Sequence, residues 1–476
     1  MLSTRLARRA LGGARQGYAP LTQRSRTFAT QSYDSLVAFG QKHVTKGLGR
    51  QVEGVMVKGE GSYVTFGDGK RFLDFTSGIG VTNLGHCHPK VSAAAAQQCM
   101  ELVHGQCSIG FTTPYLQLIE KLIPMMPDKS LDSFFFWNSG SEAIDAAIKM
   151  ARAMTGKQNI IGMQGAYHGR TYGAMALTKS KTVYTEGFHP LMPGAYSLPF
   201  PYWHHLGTPV STSSAELSAA SLNQLNLLLQ QQSAPGDTAA ILIEPVLGEG
   251  GYIPAPHEFL EGVRKICDEN GILLIIDEVQ SGFGRTGKNF NIEYSGVRPD
   301  ILTCAKGLAN GFPLSGIVSR KELTDKLNPG SMGGTYAGNA VSCAAAVAVA
   351  DAFKSENILA NVQARSTELF DALHAVKSNP TTREVILDVR GQGLMVAVEF
   401  ASPTGTGEYD PFRKPGTPAR LASRVAKRCQ EKGMLILTTS VYEVIRFIPP
   451  LNISSEDLKK GTQIFTEAVE EVVREG

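Results

Sequence analysis

The sequence lacks the features that mark several specialised classes of protein. No apolar stretch approaches the roughly 20 residues needed to cross a bilayer, and the longest without a charge runs only from Ala340 to Ala350. No run of five or more like charges occurs and the formal net charge is +3, which argues against a nucleic-acid partner. Of the 476 residues, 19% are charged and 42% hydrophobic, a balance typical of a large buried core. We therefore predict a soluble globular protein with no membrane or nucleic-acid partner.

Motifs for metal, redox or hydrolytic chemistry are also missing. The seven cysteines are scattered without a Cys-x-x-Cys pair, so free thiols in a reducing compartment fit better than a disulfide framework. His86, Cys87 and His88 are adjacent, but neighbouring side chains point in divergent directions, so we interpret them as a loop and predict no metal site. Neither Gly-x-Ser-x-Gly nor His-Glu-x-x-His occurs, which leaves hydrolase functions without local support.

Acidic residues are absent from the first thirty positions, which contain six arginines among serine, threonine and alanine. This composition is typical of a mitochondrial transit peptide, with a disordered basic tail as the alternative. Residues Arg24–Ala29 resemble a processing site. We expect residues 1–29 to be removed and the mature protein to reside in the mitochondrial matrix. Without them, 40 basic residues would face 43 acidic ones, so the mature protein would be slightly acidic.

The middle of the chain alternates short apolar runs with helical periodicity, which is typical of an α/β protein with a mainly parallel sheet. Three of these runs end at Glu244, Asp277 and Lys306, and an earlier one precedes Tyr167 and His168. In open α/β sheets, ligands bind outside the carboxyl ends of the strands, where these side chains should converge. A lysine at such an end is partly desolvated, which lowers its pKa and makes it a nucleophile. A lysine that merely reaches out to solvent is the alternative.

A second pattern indicates a phosphate site. Gly140 and Ser141 follow an aromatic-rich run and open a helical pattern with Ile144, Ile148 and Ala151 on one face. Small residues at a helix N-terminus leave backbone N–H groups free at the positive end of the helix dipole, where a phosphate binds well. The alternative is an ordinary capped helix, since Ser141 is also a good N-cap.

Together these pieces resemble one known family, the class III aminotransferases, which use pyridoxal 5′-phosphate (PLP) on the fold type I scaffold. The resemblance runs from about residue 50 to the C-terminus. It is most specific in Glu244–Gly251, Ile276–Gly287, Ala305–Gly307 and Gly334–Asn339. It implies a large cofactor-binding domain over residues 96–345 with a mainly parallel central sheet. A smaller α+β domain would combine residues 30–95 with residues 346–476.

The resemblance also implies how the cofactor would be held. Lys306 would attach it covalently and carry protons during the reaction, while Asp277 would keep its ring nitrogen protonated. Gln280 would bind the ring hydroxyl, and Val279 and Tyr167 would pack on opposite faces of the ring. The implied contacts at the ring and phosphate further include His168, Gly140, Ser141 and, from a neighbouring subunit, Thr335. The last contact implies a homodimer with shared active sites, or a dimer of dimers.

Substrate choice depends on a second set of residues, which the resemblance implies to be Ile79, Arg170, Glu244, Glu249 and Arg446. Arginine suits the bidentate recognition of carboxylates. In 4-aminobutyrate enzymes, the position of Arg170 holds the distal carboxylate. Arg446 would pair with the α-carboxylate of glutamate, or with Glu249 when the substrate has no α-carboxylate. Ile79 matches the small apolar pocket residue of the bacterial-type enzymes, and the absence of Cys-x-x-Cys excludes the interfacial iron–sulfur cluster of the animal type.

We therefore expect an enzyme that transfers amino groups between amino acids and 2-oxo acids, most closely like a 4-aminobutyrate:2-oxoglutarate aminotransferase. An acetylornithine or ornithine aminotransferase is the alternative within the family. A non-transaminating PLP enzyme, such as an aminomutase or decarboxylase, is the alternative of a different class.

Overall fold

The computed structural model describes residues 32–476, so the predicted transit peptide lies outside the described residues. The chain divides into two compact units, one ending at Val55 and the other spanning Met56–Gly476. The described part of the first unit contains helix α1, Tyr33–His43, whose N-cap Ser32 accepts the N–H of Ser35 at 3.2 Å. The domain boundaries at residues 95 and 345 stay a prediction.

The second unit contains a seven-stranded central sheet in the order β4-β12-β11-β10-β7-β5-β6. Its strands are β4 Ser133–Trp137, β5 Asn159–Met163, β6 Ala195–Leu198, β7 Thr238–Ile243, β10 Leu273–Asp277, β11 Ile301–Cys304 and β12 Ser315–Ser319. Strands β6, β5, β7, β10 and β11 pair in parallel, and β12 runs antiparallel to both of its neighbours. The predicted α/β fold with a mainly parallel sheet is confirmed.

Two four-stranded sheets and a short ribbon complete the strands of this unit. One sheet, in the order β1-β2-β3-β15, joins both ends of the unit because β15 pairs in parallel with β3. The other is antiparallel in the order β13-β14-β17-β16. The strands are β1 Met56–Glu60, β2 Tyr63–Phe66, β3 Arg71–Asp74, β13 Ile386–Gln392, β14 Met395–Phe400, β15 Met434–Leu435, β16 Leu437–Thr439, β17 Val444–Phe447 and the ribbon β8 Val246–Leu247 with β9 Ile253–Pro254.

Helices cover the central sheet, and their apolar faces follow from the sequence pattern. The helices of this unit are α2 Ser77–Gly80, α3 Pro89–Glu101, α4 Thr113–Leu122, α5 Gly140–Thr155, α6 Tyr172–Leu177, α7 Trp203–Leu206, α8 Ser214–Gln231, α9 His257–Asn270, α10 Lys321–Thr324, α11 Ala340–Ser355, α12 Ile358–Ser378, α13 Leu421–Glu431 and α14 Ser455–Glu475. The predicted face of α5 is buried, with Ile144 and Ala151 at 0% exposure, and it packs on Ile160 and Leu242 of the sheet. Across residues 32–476, no helix is long and apolar enough to cross a membrane.

Candidate active site

A cavity of about 290 Å³ opens at the carboxyl-terminal edge of the central sheet. Strands β7, β10 and β11 are neighbours there, and they lead to Glu244, Asp277 and Lys306. The ionisable residues that follow the apolar runs therefore come together, as the pattern predicts. Nine of the residues singled out from the sequence line this cavity: Gly140, Ser141, Tyr167, His168, Glu244, Asp277, Val279, Gln280 and Lys306.

Lys306 reaches the cavity from an unusual backbone conformation. Strand β11 ends at Cys304, and two residues later Lys306 has a φ of +45°, in the left-handed region. A tight turn follows, in which the N–H of Leu308 bonds the carbonyl of Ala305 at 2.9 Å. Burial lowers the pKa of Lys306 to about 8, although the Glu249 carboxylate acts to raise it. A substantial fraction of the amine is therefore neutral near physiological pH and can act as a nucleophile.

Asp277 is held in place from several directions. Its Oδ2 lies 2.7 Å from Nδ1 of His168, and both side chains are almost fully buried. Its Oδ1 accepts the backbone N–H of Val279 at 3.0 Å and the hydroxyl of Thr303 at 3.3 Å. These contacts hold the Asp277 side chain in one orientation at the cavity.

The opposite end of the cavity is the start of α5. The N-cap is Ser139, whose Oγ accepts the N–H of Glu142 at 3.3 Å. Ser141, which the sequence offered as a possible cap in the alternative interpretation, is not the cap. Ser141 is free for another contact because it lies inside the helix, and its Oγ accepts the N–H of Arg170 at 3.0 Å. A Cβ atom on Gly169 would lie 2.0 Å from that oxygen, so only glycine fits there.

The side walls of the cavity are formed by Tyr167 and Val279. Glu244 fixes the first of them, since its Oε2 accepts the N–H of Tyr167 at 2.9 Å while Oε1 accepts that of Gly248 at 3.0 Å. Burial raises the pKa of Glu244 to about 7. Both oxygens of the side chain predicted to bind substrate are thus engaged with backbone, and Glu244 joins the wall to the following turn.

These groups suit the predicted cofactor. A ring with a phosphate at one end requires free N–H donors, a carboxylate opposite them and an amine beside the ring. The first turn of α5, Asp277 and Lys306 supply these groups around one cavity of adequate size. A Cβ atom on Gly140 would lie 3.0 Å from Val279, so glycine leaves room between the phosphate end and the wall.

The predicted carboxylate-binding residues lie outside the lining of this cavity. Glu249 occupies the tip of the β8–β9 ribbon, and Arg446 lies on β17, where the two form a buried ion pair. Burial alone would raise the pKa of Glu249, but Arg446 lowers it below the ordinary value. Since both side chains affect the pKa of Lys306, the pair lies within electrostatic reach of that amine.

Arg170 and Ile79 are more exposed. The Arg170 guanidinium lies 4.6 Å from the ring centroid of Tyr184, and its Nε lies 3.3 Å from the hydroxyl of Tyr167. Ile79 is 40% exposed with a φ of +67°, a rare conformation for a β-branched residue. Its neighbour Gly80 approaches Gln280, since a Cβ there would lie 3.9 Å from that side chain. Thr335 is exposed, and its role across a subunit boundary stays a prediction.

Several residues near the carboxylate pair were not predicted. Tyr184 packs edge-on against Tyr167, with ring centroids 5.2 Å apart. Lys181 is partly buried, which lowers its pKa, and it interacts with the charges of Glu249 and Arg446. Both belong to a short 3-10 helix and its N-cap, a segment without apolar periodicity, so no local pattern indicates them. Tyr252 directly follows the Gly-Glu-Gly-Gly sequence, and that position is the one signal that could have drawn attention to it.

A largely buried arginine, Arg390, clamps the turn that carries Glu249. Nε and Nη2 of Arg390 both donate to the carbonyl of Gly251, at 2.9 and 2.8 Å. Nη1 donates to Glu399 at 2.5 Å, and Glu399 also accepts the hydroxyl of Tyr202 at 2.7 Å. The clamp therefore joins the ribbon tip to strands β13 and β14.

No group of three or more histidine, cysteine or acidic residues suited to a metal occurs within residues 32–476. In the loop at residues 86–88, His86 lies 2.7 Å from Asp74 and His88 lies 3.1 Å from Glu356. The two imidazoles therefore engage different carboxylates.

Comparison with known proteins adds independent evidence. The model of the family "Aminotransferase class-III" matches residues 48–469. A 4-aminobutyrate aminotransferase of Escherichia coli is 39% identical over 85% of this chain and 90% of its own. A 5-aminovalerate aminotransferase of Pseudomonas aeruginosa is 38% identical over 93% of this chain and 100% of its own.

Solved structures agree with this result. A transaminase from the marine bacterium Virgibacillus has a TM-score of 0.83 at 28% identity, over 93% of this chain and 99% of that one. The omega transaminase of Pseudomonas jessenii, solved in complex with PMP, has a TM-score of 0.81 at 26% identity, over 92% and 95%. With its cavity at the ends of β7, β10 and β11, this chain belongs to the class III aminotransferases and is an aminotransferase that uses pyridoxal 5′-phosphate.

Proposed function

We propose that this aminotransferase acts on 4-aminobutyrate and 2-oxoglutarate, giving succinate semialdehyde and glutamate. The observation that carries the proposal is the buried ion pair between Glu249 and Arg446 beside Lys306, with a separate arginine, Arg170, nearby. Two arginines, one of them neutralised by a side-chain carboxylate, suit the exchange of a monocarboxylate for a dicarboxylate. The name of the Escherichia coli relative supports the same substrate.

The chain's own residues would divide the chemistry as follows. The cofactor supplies an electron-accepting ring when bound. Asp277 would hold a proton at the ring nitrogen, and the neutral amine of Lys306 would attach the cofactor and then carry a proton at the reacting carbon. Tyr167 and Val279 would hold the ring flat between them, while the first turn of α5 would anchor the phosphate.

The ion pair would work as an exchangeable counterion. With 4-aminobutyrate bound, the single carboxylate would pair with Arg170, and Glu249 would neutralise Arg446. With 2-oxoglutarate or glutamate bound, the α-carboxylate would take Arg446 and Glu249 would move aside. Because an unpaired buried guanidinium is costly, this exchange would let one pocket accept both substrates. An aminomutase needs no 2-oxoglutarate site, so the arrangement favours transamination.

A neighbouring substrate is also supported. The Pseudomonas aeruginosa relative is named for 5-aminovalerate, which is one methylene longer than 4-aminobutyrate. A single methylene typically changes selectivity by only about 10- to 200-fold, so one site can serve both. A coupled assay would compare these two donors with acetylornithine and ornithine, each against 2-oxoglutarate and pyruvate. Preference for acetylornithine or ornithine would reject our choice and leave the family unchanged.

Measuring the two half-reactions separately tests the exchange itself. In Arg446→Ala, the 2-oxoglutarate half-reaction should fall by roughly 30- to several-thousand-fold, since a lost charged partner costs about 2–5 kcal/mol. The 4-aminobutyrate half-reaction should change far less, and Arg170→Ala should impair both. The control is Arg474→Ala, which removes an exposed arginine paired with Glu470 on α14 and should alter neither. Equal losses in Arg446→Ala would contradict the exchange.

We further propose that residues 1–29 direct the protein to the mitochondrial matrix. The support is the acid-free leader with its six arginines, which lies outside the described residues. A fusion of residues 1–35 to a fluorescent reporter should enter mitochondria. A cytosolic location of the full-length protein in intact cells would reject this proposal and leave the enzymology untouched.

The proposed assembly is a homodimer with shared active sites. Ile109 and Phe111 are 88% and 82% exposed, and Phe111 lines an apolar cleft with Gly338. Exposed apolar groups of this size favour a protein interface. Thr335 precedes Gly338, which lines the same cleft, by three residues. Sedimentation of the wild type distinguishes a dimer from a tetramer. Phe111→Glu should weaken the assembly, because it places a charge in the proposed interface. A monomeric, fully active wild-type protein would reject the shared site.

A further inference from the structure

Tyr252 is a fully buried tyrosine at the end of the turn that carries Glu249. Its residue exposure is 0% and its φ is +56°, so its backbone takes a conformation that side chains rarely adopt. The hydroxyl donates a hydrogen bond to Oε1 of Gln280 at 2.7 Å. Gln280 itself lines the cavity beside Lys306. Tyr252 therefore contacts a side chain that lines the cofactor cavity.

The hydrogen bond from Tyr252 engages the oxygen end of the Gln280 amide. A phenol has one proton to donate, and here it goes to the amide oxygen. The nitrogen end lies against the backbone of the same turn, since a Cβ atom on Gly248 would be 2.8 Å from Nε2. An amide carries an acceptor at one end and two donors at the other, so fixing its rotation fixes whether it donates or accepts.

Two further features keep the tyrosine in this role. Burial raises the pKa of Tyr252 to about 12, so the phenol keeps its proton at any physiological pH. The carbonyl of the preceding residue, Gly251, is held by the double contact from Arg390. The turn, the phenol and the glutamine thus form one connected set from β13 to the cavity.

We propose that Tyr252 is a positioning residue of the cofactor site, which orients the amide of Gln280 so that its NH2 group, and not its oxygen, meets the ring hydroxyl of pyridoxal phosphate. A contact of Gln280 with that hydroxyl is the family expectation, and the role of Tyr252 is the new element. It holds for any amino-acid substrate. A failure of the 4-aminobutyrate assignment would therefore leave it standing.

The proposal has a spectroscopic consequence. A hydrogen-bond donor stabilises the deprotonated ring oxygen, whereas an acceptor stabilises the protonated one. The lysine-bound cofactor should therefore lose its proton at lower pH when the amide is held by Tyr252. In Tyr252→Phe the amide is free to turn, so the pH midpoint of the visible absorption band should rise by about 0.5 to 1 pH unit.

The experiment is a titration of the holoenzyme's visible band without substrate. The matched control is Tyr63→Phe on strand β2, which belongs to a different sheet. It removes a hydroxyl that donates to Asp457 at 2.5 Å and should leave the midpoint unchanged. A double-mutant cycle with Gln280→Leu isolates the coupling. In the Gln280→Leu background, Tyr252→Phe should produce no further shift. An undiminished shift there, or no shift in the single variant, would overturn the proposal.

A second measurement covers the case in which Tyr252→Phe does not fold. Neutron diffraction from crystals of the wild-type holoenzyme places the exchanged hydrogens directly. Deuterium on Tyr252 directed at Gln280, with the amide deuterons directed at the cofactor, supports the proposal. An amide deuteron directed at Tyr252 overturns it.

Discussion

The residues that line the cofactor cavity and those proposed to bind a substrate carboxylate lie close together but come from different parts of the fold. Asp277 and Lys306 belong to the ends of adjacent buried strands. Glu249 lies at the tip of a two-stranded ribbon, and its partner Arg446 belongs to another sheet, 197 residues away in sequence.

Their hydrogen bonding differs in the same way. The Asp277 carboxylate contacts His168, Thr303 and the backbone of Val279. The Glu249 carboxylate makes one strong contact, to Arg446, and a marginal one of 3.5 Å to Thr439. A group with many partners is fixed, whereas a group with one strong partner can exchange it for another. The Asp277 carboxylate is thus held from several directions, whereas the Glu249 carboxylate depends mainly on one partner, as the proposed exchange requires.

Removing the amine would break the cofactor side of this comparison and has the largest expected effect. Lys306→Ala should lose transamination by about 10³-fold or more, because both the nucleophile and the proton carrier are removed. It should also bind the cofactor only reversibly, so borohydride would not fix the cofactor to the chain as judged by mass spectrometry. Near-normal turnover would show that the wrong lysine has been assigned.

The next largest effect is expected from removing Arg390, which holds the turn that carries Glu249 in the carboxylate site. Arg390→Met removes the guanidinium from the buried Glu399, which keeps His204 and Tyr202 as partners. The change should cost about 3 kcal/mol in the free energy of unfolding, the lower end of the range for a broken buried ion pair. The matched control, Arg474→Met, removes an exposed pair with Glu470 on α14 and should cost about 0.5 kcal/mol or less. Denaturant unfolding of both variants measures the difference. Equal costs would mean that the clamp contributes no more than a surface ion pair.

A smaller change would sharpen the comparison within the carboxylate site. Tyr184→Leu removes the ring under the Arg170 guanidinium and should raise the KM for 4-aminobutyrate by roughly 3- to 30-fold, the range of a cation–π contact. Tyr294→Leu removes a comparable ring, 4.5 Å from Nζ of Lys288, and should leave KM unchanged. The steady-state kinetics of the two variants decide the matter. A similar rise in both would assign the effect to general loosening.

The smallest expected effect is a change in the pH dependence of cofactor attachment, because the charge of Glu249 in the carboxylate site acts on Lys306 in the cofactor site. Burial lowers the pKa of Lys306 to about 8, so attachment of cofactor to apoprotein should speed up with rising pH and level off above about pH 8. An ordinary lysine would keep gaining neutral amine to about pH 10. Because the Glu249 carboxylate raises the Lys306 pKa, Glu249→Gln should move the plateau to lower pH. Stopped-flow absorbance measures both profiles, and an unmoved plateau would contradict the coupling.

Much of the cofactor side could be predicted because its signals are local. A buried parallel strand appears as an unbroken apolar run, and the residue that ends it faces the cavity, as with Glu244 and Asp277. Helix α5 likewise shows its periodicity in Ile144 and Ile148. The exact cap could not be predicted, because Ser139 and Ser141 are equally suitable by type and only the backbone geometry distinguishes them.

The carboxylate side could be predicted only through family resemblance. Strand β17 brings Arg446 to Glu249 by pairing with β14 and β16, and no periodicity encodes that distant contact. Tyr184 ends a single 3-10 turn and Tyr252 lies in the turn after Glu249, and in such short segments spacing does not predict which way a side chain points. The clamp by Arg390 was also missed, since one of its partners is a backbone carbonyl, which has no signature in sequence.

The backbone conformation at Lys306 has a consequence for the stability of the protein. Glycine adopts a φ of +45° without strain, whereas for other residues this conformation lowers the stability of the folded state by about 1–3 kcal/mol. Lys306 therefore places its amine in the cavity from a backbone conformation that disfavours a side chain. Lys306→Gly should melt at a higher temperature than Lys306→Ala, and both would be inactive. Stability and activity therefore oppose each other at this residue, because the substitution that relieves the backbone also removes the reactive amine.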